Sequence, residues 1–138
     1  MFDITKHRAA STAAIELVNG EGSPLVDEDG NVLSITVHGP GSKIWQQADA
    51  EVRRRKIARV EKNRGKLTAT LDGERDDEID FLTRVTISLD GWTYPGEYTQ
   101  NADMFRALYS DDELGFVRDH VAREARDWGN FSKGSAKN

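Results

Sequence analysis

No cysteine occurs anywhere in the 138 residues, so no disulfide can brace the fold and no thiolate can act as nucleophile or metal ligand. Histidine is scarce too. There are three, His7, His38 and His120, and no two stand at the helical or loop spacing of a metal site. No apolar run approaches the roughly 18 residues of a membrane-spanning helix, and MFDITKHRAASTAAIELV lacks the basic start, continuous apolar stretch and small-residue cleavage pattern of a secretory signal. A soluble protein that stays where it is made is expected. G-x-S-x-G, Walker and dinucleotide-binding signatures are missing, and HGPGS at 38–42 has too few glycines, at the wrong offsets, to cradle a phosphate. These absences point away from an enzyme and from any bound cofactor or metal.

What is present is polar. Hydrophobic residues make up 37% and charged residues 31%, enough for a modest core under a wet surface. The net charge of −5 is unevenly spread: residues 43–66 hold nine Lys or Arg against three Asp or Glu, a local +6 that leaves −11 on the remainder. A basic strip therefore lies on an acidic body.

Residues 12–18 and 31–38 read as strands, the second with Val32, Ser34, Thr36 and His38 alternating against Leu33, Ile35 and Val37. Asn19-Gly20 and Asp29-Gly30 supply the positive-φ positions of tight reversals, and Leu25-Val26 can add a short middle strand. An antiparallel meander over 1–41 is expected, packed on or appended to a helical domain over 42–131. Pro40 ends the sheet, and Ser42 is placed to cap a helix from Lys43 to about Asn63, with Ile44, Ala48, Val52, Ile57 and Val60 as a narrow apolar stripe. Residues 64–76 read as a loop, with KLTATL as a short extended piece.

Over 76–92, Ile79, Leu82, Val85 or Thr86, and Leu89 fall at helical spacing, while Thr83, Val85, Thr86 and Ile87 favour a strand; the spacing favours helix. Trp92, Tyr94 and Tyr98 around Pro95-Gly96 read as a pinned loop. Asn101 is placed to cap a short helix carrying Phe105, Leu108 and Tyr109. The segment LYSDDELGFVRDHVAREARDWGNF, 108–131, then presents Leu114, Val117, Val121, Ala125 and Trp128 at steps of three or four between an acidic first turn and a Gly129-Asn130 stop. Phe116 lies off that stripe. Residues 132–138 carry no large apolar side chain and are expected to form a disordered tail.

Each chemical signal has a bland competitor that wins. His120, beside Asp119 on a polar flank, reads as a solvated or capping group. The acidic run DGERDDEID at 72–80 lacks the alternating ligands, central glycine and distant bidentate Glu of a calcium loop, and reads as a solvated loop. The strip containing Arg53, Arg54, Arg55, Lys56 and Arg59 invites a nucleic-acid reading. However, aliphatic residues rather than aromatics are interleaved, and the chain is acidic overall. An acidic protein partner or the molecule's own acidic body fits that strip better. Phe105, Leu108, Tyr109, Leu114, Phe116, Trp128 and Phe131 are more apolar surface than two short helices can hide, which leaves room for a protein-binding groove.

ITVHGPGSKIWQQADAEVRRRK, then FLTRVTISLDGW, then ALYSDDELGFVRDHVAREARDWGNF resemble, in that order, the tail assembly chaperones of long-tailed bacteriophages, over roughly residues 35–131. The likeness is closest at Asn101, Leu108, Tyr109, Asp111, Asp112, Leu114, Gly115, Phe116, Val117, Arg118, Asp119, Asn130 and Phe131. The resemblance implies a non-enzymatic protein of the host cytoplasm. Such a protein binds hydrophobic stretches of the tape-measure protein, recruits tail-tube subunits and self-associates. The alternatives are a nucleic-acid or host-factor binder using the basic helix 43–66, and a structural tail or head-completion protein of the virion. The fold expected is α+β: a small N-terminal antiparallel meander, a long basic helix and a C-terminal helical cluster.

Overall fold

The computed structural model describes residues 1–63 and 67–132; residues 64–66 of the expected loop and 133–138 of the expected tail lie outside them. An antiparallel sheet of order β1-β2-β3 packs with four helices: β1 Thr12–Glu16, β2 Ser34–His38, α1 Lys43–Asn63, α2 Leu67–Val85, β3 Thr86–Asp90, α3 Asn101–Ser110 and α4 Gly115–Glu124. Short 3-10 turns cover Ile4–His7, Asp112–Leu114 and Trp128–Phe131.

The alternation in the first two strands sets their faces. Ala13, Ile15, Ile35 and Val37 are buried, while Ser34 and Thr36 on the other face donate hydroxyl hydrogen bonds to Asp90 Oδ2, 2.8 Å each. Between β1 and β2 the chain reverses twice. Asn19 Oδ1 accepts from the Glu21 and Ser23 amides and Asp27 Oδ1 from those of Asp29 and Asn31. The left-handed positions fall on Gly22 and Gly30, where a side chain would be strained. Leu25-Val26 does not form the expected middle strand; only isolated bridges, Val18 to Pro24 and Val26 to Val32, occur there. The third strand comes instead from Thr86–Asp90, paired antiparallel to β2.

That strand corrects the reading of 76–92. Both signals were present and each governs half of the segment: helical spacing through Val85, β-branched propensity from Thr86 onward. Thr83 and Thr86 hydroxyls donate to the carbonyls of Ile79 and Leu82, four residues back, at 2.7 Å. The Tyr109 hydroxyl donates to Thr86 Oγ1, also 2.7 Å away. Burial pushes the Tyr109 phenol well above its ordinary pKa.

The loop expected over 64–76, with KLTATL extended and 72–80 solvated, is also overturned, since α2 is helical from Leu67 onward. Weak helix formers cost less than about 1 kcal/mol each. Here tertiary contacts outweigh them: Arg59 reaches across from α1 to Asp77, which is 2% exposed. At Gly73 an added Cβ would lie 2.2 Å from Arg59 Nε, so glycine leaves the groove in which that side chain lies.

Helix α1 is capped as expected, Ser42 Oγ accepting from the Trp45 amide. Its stripe is not as expected. Ala48 and Val52 are buried, but Ile44, Ile57 and Val60 are exposed. At 100° per residue the line through Ala48 and Val52 continues to Arg55 and Arg59, so the inner face of α1 changes from apolar to cationic halfway along.

The C-terminal third is more broken than its periodicity suggests. Asn101 is the first residue of α3 rather than its cap; Gln100 holds the cap position without a side-chain bond. Residues 108–131 are the end of α3, a 3-10 turn capped by Asp111, the ten-residue α4, and a second 3-10 turn capped by Asp127. Gly129-Asn130 is not the stop of α4, which ends at Glu124. One core cluster spans the sheet and the helices, with Ile15, Ile35, Phe81, Leu82, Tyr109, Val121 and Phe131 among its buried members.

Candidate protein-binding surface

Of the seven C-terminal residues singled out for protein binding, Phe105, Leu108, Tyr109 and Phe131 are buried in the core. The Phe131 ring lies so close to Gly39 that a Cβ there would be 2.4 Å from the ring, and its carbonyl accepts from the Ala10 amide at 2.5 Å. Leu114 and Phe116 are half-buried and pack against that core. Trp128, read as the end of a buried stripe, is 57% exposed, with its ring 3.4 Å from a Cβ built at Gly41.

The apolar surface that sequence reasoning missed is on α1. Ile57 is 62% exposed and Val60 58%; with Lys56 and Glu61 they line a shallow groove of about 340 Å³. The signal was available. From Val52 to Ile57 is five residues, or about 140° around the helix, off the buried line.

The basic strip divides by the same geometry. Arg53 and Arg54 are exposed and pair along the helix with Asp49 and Glu51. Arg55 and Arg59 face α2 instead. Arg59 Nη2 donates to both oxygens of Asp77, 2.8 and 2.9 Å, and Arg55 Nη2 donates to Asp80 at 2.6 Å. Asp80 further meets Arg84 at 3.0 Å and Arg106 at 2.8 Å. Burial alone would raise its carboxyl; the bonds from Arg106 and Arg55 and the charge of Arg84 outweigh that and hold it below the usual carboxylate value. Asp77 and Asp80, three residues apart, share one helix face opposite arginines four apart. That pairing was legible once 72–80 is taken as helix. Lys56 is exposed at the edge of the groove.

The histidines are spread out. His7 packs beside the Phe2 ring, and burial lowers the pKa of His38 at the end of β2. The Arg123 guanidinium donates to His120 Nδ1 at 3.3 Å, which makes His120 Nε2 the protonated nitrogen that donates to the Glu16 carbonyl at 2.8 Å. His120 thus ties α4 to β1. The aromatic loop is pinned as its composition suggests, Trp92 Nε1 donating to the Ser34 carbonyl and the Tyr94 hydroxyl to Asp111. Among the described residues no cluster of three His, Asp or Glu could hold a metal ion, and no helix is long and apolar enough to cross a membrane.

No protein-family model, curated protein or solved structure matches the chain.

Proposed function

We propose that the protein is a non-enzymatic tail assembly chaperone of a long-tailed bacteriophage, acting in the host cytoplasm. It binds apolar helical segments of the tape-measure protein and recruits tail-tube subunits. The resemblance over residues 35–131 supplies the class. The observation that carries the binding mode is the pair Ile57 and Val60, aliphatic, solvent-facing and flanked by charge on the C-terminal half of α1. A two-residue apolar ridge flanked by Lys56 and Glu61 suits reversible capture of an amphipathic helix, whose apolar stripe it covers while the flanking charges keep the complex in solution. Trp128 adds a second exposed anchor.

The nucleic-acid reading draws less support, because two of its five cations, Arg55 and Arg59, turn toward α2 and are held by Asp80 and Asp77, which breaks the exposed basic strip that a duplex would need. Co-expression with the tape-measure protein tests the proposal. The tape measure is expected in the soluble fraction with the wild type and in the pellet with Ile57→Asp/Val60→Asp, both positions being exposed and the variant therefore folded. A tape measure equally soluble without this protein, or rescued equally by the variant, refutes it. Finding the chain in purified particles favours instead a structural subunit of the virion.

A further inference from the structure

Three carboxylates on one side of the α1–α2–α3 junction, Glu51, Asp77 and Asp80, are outnumbered by Arg54, Arg55, Arg59, Arg84 and Arg106. The cluster carries +2 and leaves −7 on the rest of a chain whose net charge is −5. Glu51 feels the charges of Arg55 and Arg84 as well as its bond from Arg54, which joins the carboxylates into one group. Folding accounts for Arg55 and Arg59, since buried Asp77 and Asp80 each need a counter-charge. It does not account for Arg84 and Arg106. Asp80 is already neutralised by Arg55, yet two more guanidiniums, each about half exposed, spend a single nitrogen on it.

We propose that Arg84 and Arg106, with Arg54 beside them, bind the carboxylates of an acidic segment of a partner protein. A guanidinium fork matches a carboxylate through two parallel hydrogen bonds. Here Asp80 holds two such forks in place and no other described residue takes their remaining donors, so the ordering entropy of long side chains is already spent. A protein segment fits better than nucleic acid: the excess charge is small and compact, the surrounding body repels an extended polyanion, and no member of the cluster is an aromatic that could stack on a base. The site is distinct from the Ile57–Val60 ridge, because along α1 Arg55 and Arg59 turn toward α2 while Ile57 and Val60 turn to solvent. Either surface can therefore fail without the other.

Fluorescence anisotropy at low ionic strength with a labelled peptide that carries two or three consecutive glutamates among neutral residues, and with oligo-dT of equal length, tests the site. The wild type is expected to bind the peptide in a salt-sensitive way. Arg84→Gln/Arg106→Gln should bind it about tenfold more weakly and Arg54→Gln roughly twofold more weakly. Lys6→Gln/Arg8→Gln, which removes the same charge from the exposed N-terminus, should bind as the wild type does. The double variant leaves Arg55 on Asp80, and circular dichroism checks its fold; if it does not fold, Arg54→Gln decides, since Arg54 does not touch Asp80. No peptide binding by the wild type, or an equal loss in the N-terminal control, overturns the proposal. Tighter binding of oligo-dT that is lost in the same variants overturns the choice of a protein partner.

Discussion

Replacing Asp77 by alanine removes the carboxylate that holds Arg59 in the α1–α2 interface. The Asp77 side chain is 3% exposed and that of Arg59 17%, and two hydrogen bonds of 2.8 and 2.9 Å join them. Among the described residues Arg59 Nη1 is already buried without a partner, so in Asp77→Ala none of them replaces what the guanidinium loses. Stranding a buried charge in this way costs about 3–5 kcal/mol. The total stability of a domain is about 5–15 kcal/mol. For a chain of this length the loss corresponds to a fall in Tm of roughly 10–20 °C. The exposed pair of Arg53 with Asp49 gives the contrast: Arg53→Ala should cost less than about 0.5 kcal/mol. Urea unfolding followed by far-UV circular dichroism measures both, with unchanged m-values as the check that one transition is compared throughout. The decisive variant is Asp77→Leu/Arg59→Leu, which removes both charges together. It should recover most of the stability lost in Asp77→Ala, because the penalty lies in the orphaned charge rather than in the absence of the pair. A single variant within about 1 kcal/mol of the wild type, or a double variant no better than the single, refutes the reasoning.

Two further outcomes follow from other parts of the fold. Gly39→Ala should destabilise by about 1–3 kcal/mol, because its Cβ would be forced to within 2.4 Å of the buried Phe131 ring; a denaturation midpoint equal to wild type contradicts that packing. Asp80, its carboxyl held below the ordinary value by its arginines against the effect of burial, binds its proton more readily unfolded than folded. Its contribution is therefore full above about pH 4 and lost as pH falls through the folded-state value. Asp80→Asn should be less stable than wild type at neutral pH, and the two stability curves should converge on acidification. Parallel curves would be the contrary result.

Much of the fold was legible because period and residue type agreed. β2 shows this, with Ile35 and Val37 inward and Ser34 and Thr36 outward, as does Ser42 at the start of α1. Where the two disagreed, a contact distant in sequence decided. Thr86–Asp90 is a strand because β2 offers it a partner, which no window centred on residue 86 contains. Residues 67–76 are helical because Asp77 and Asp80 on the same helix meet arginines some twenty residues earlier. The surface was harder to foresee than the core. A periodic stripe says which residues share a line, but whether a neighbour covers that line depends on packing, and so Trp128 and Ile57 lie in solvent while Phe105 does not.

Val85 ends α2 and Thr86 begins β3, with no residue between them. The helix is nineteen residues long, about 28 Å at 1.5 Å per residue, and the strand at its foot is stitched to β2. Such a junction has no hinge. A load applied to the distant end of the helical hairpin arrives at the sheet as torque instead of being absorbed in a loop, and β3 cannot peel from its neighbour without untwisting the last turn of α2. Anything that grips α1 and α2 therefore has hold of the whole body.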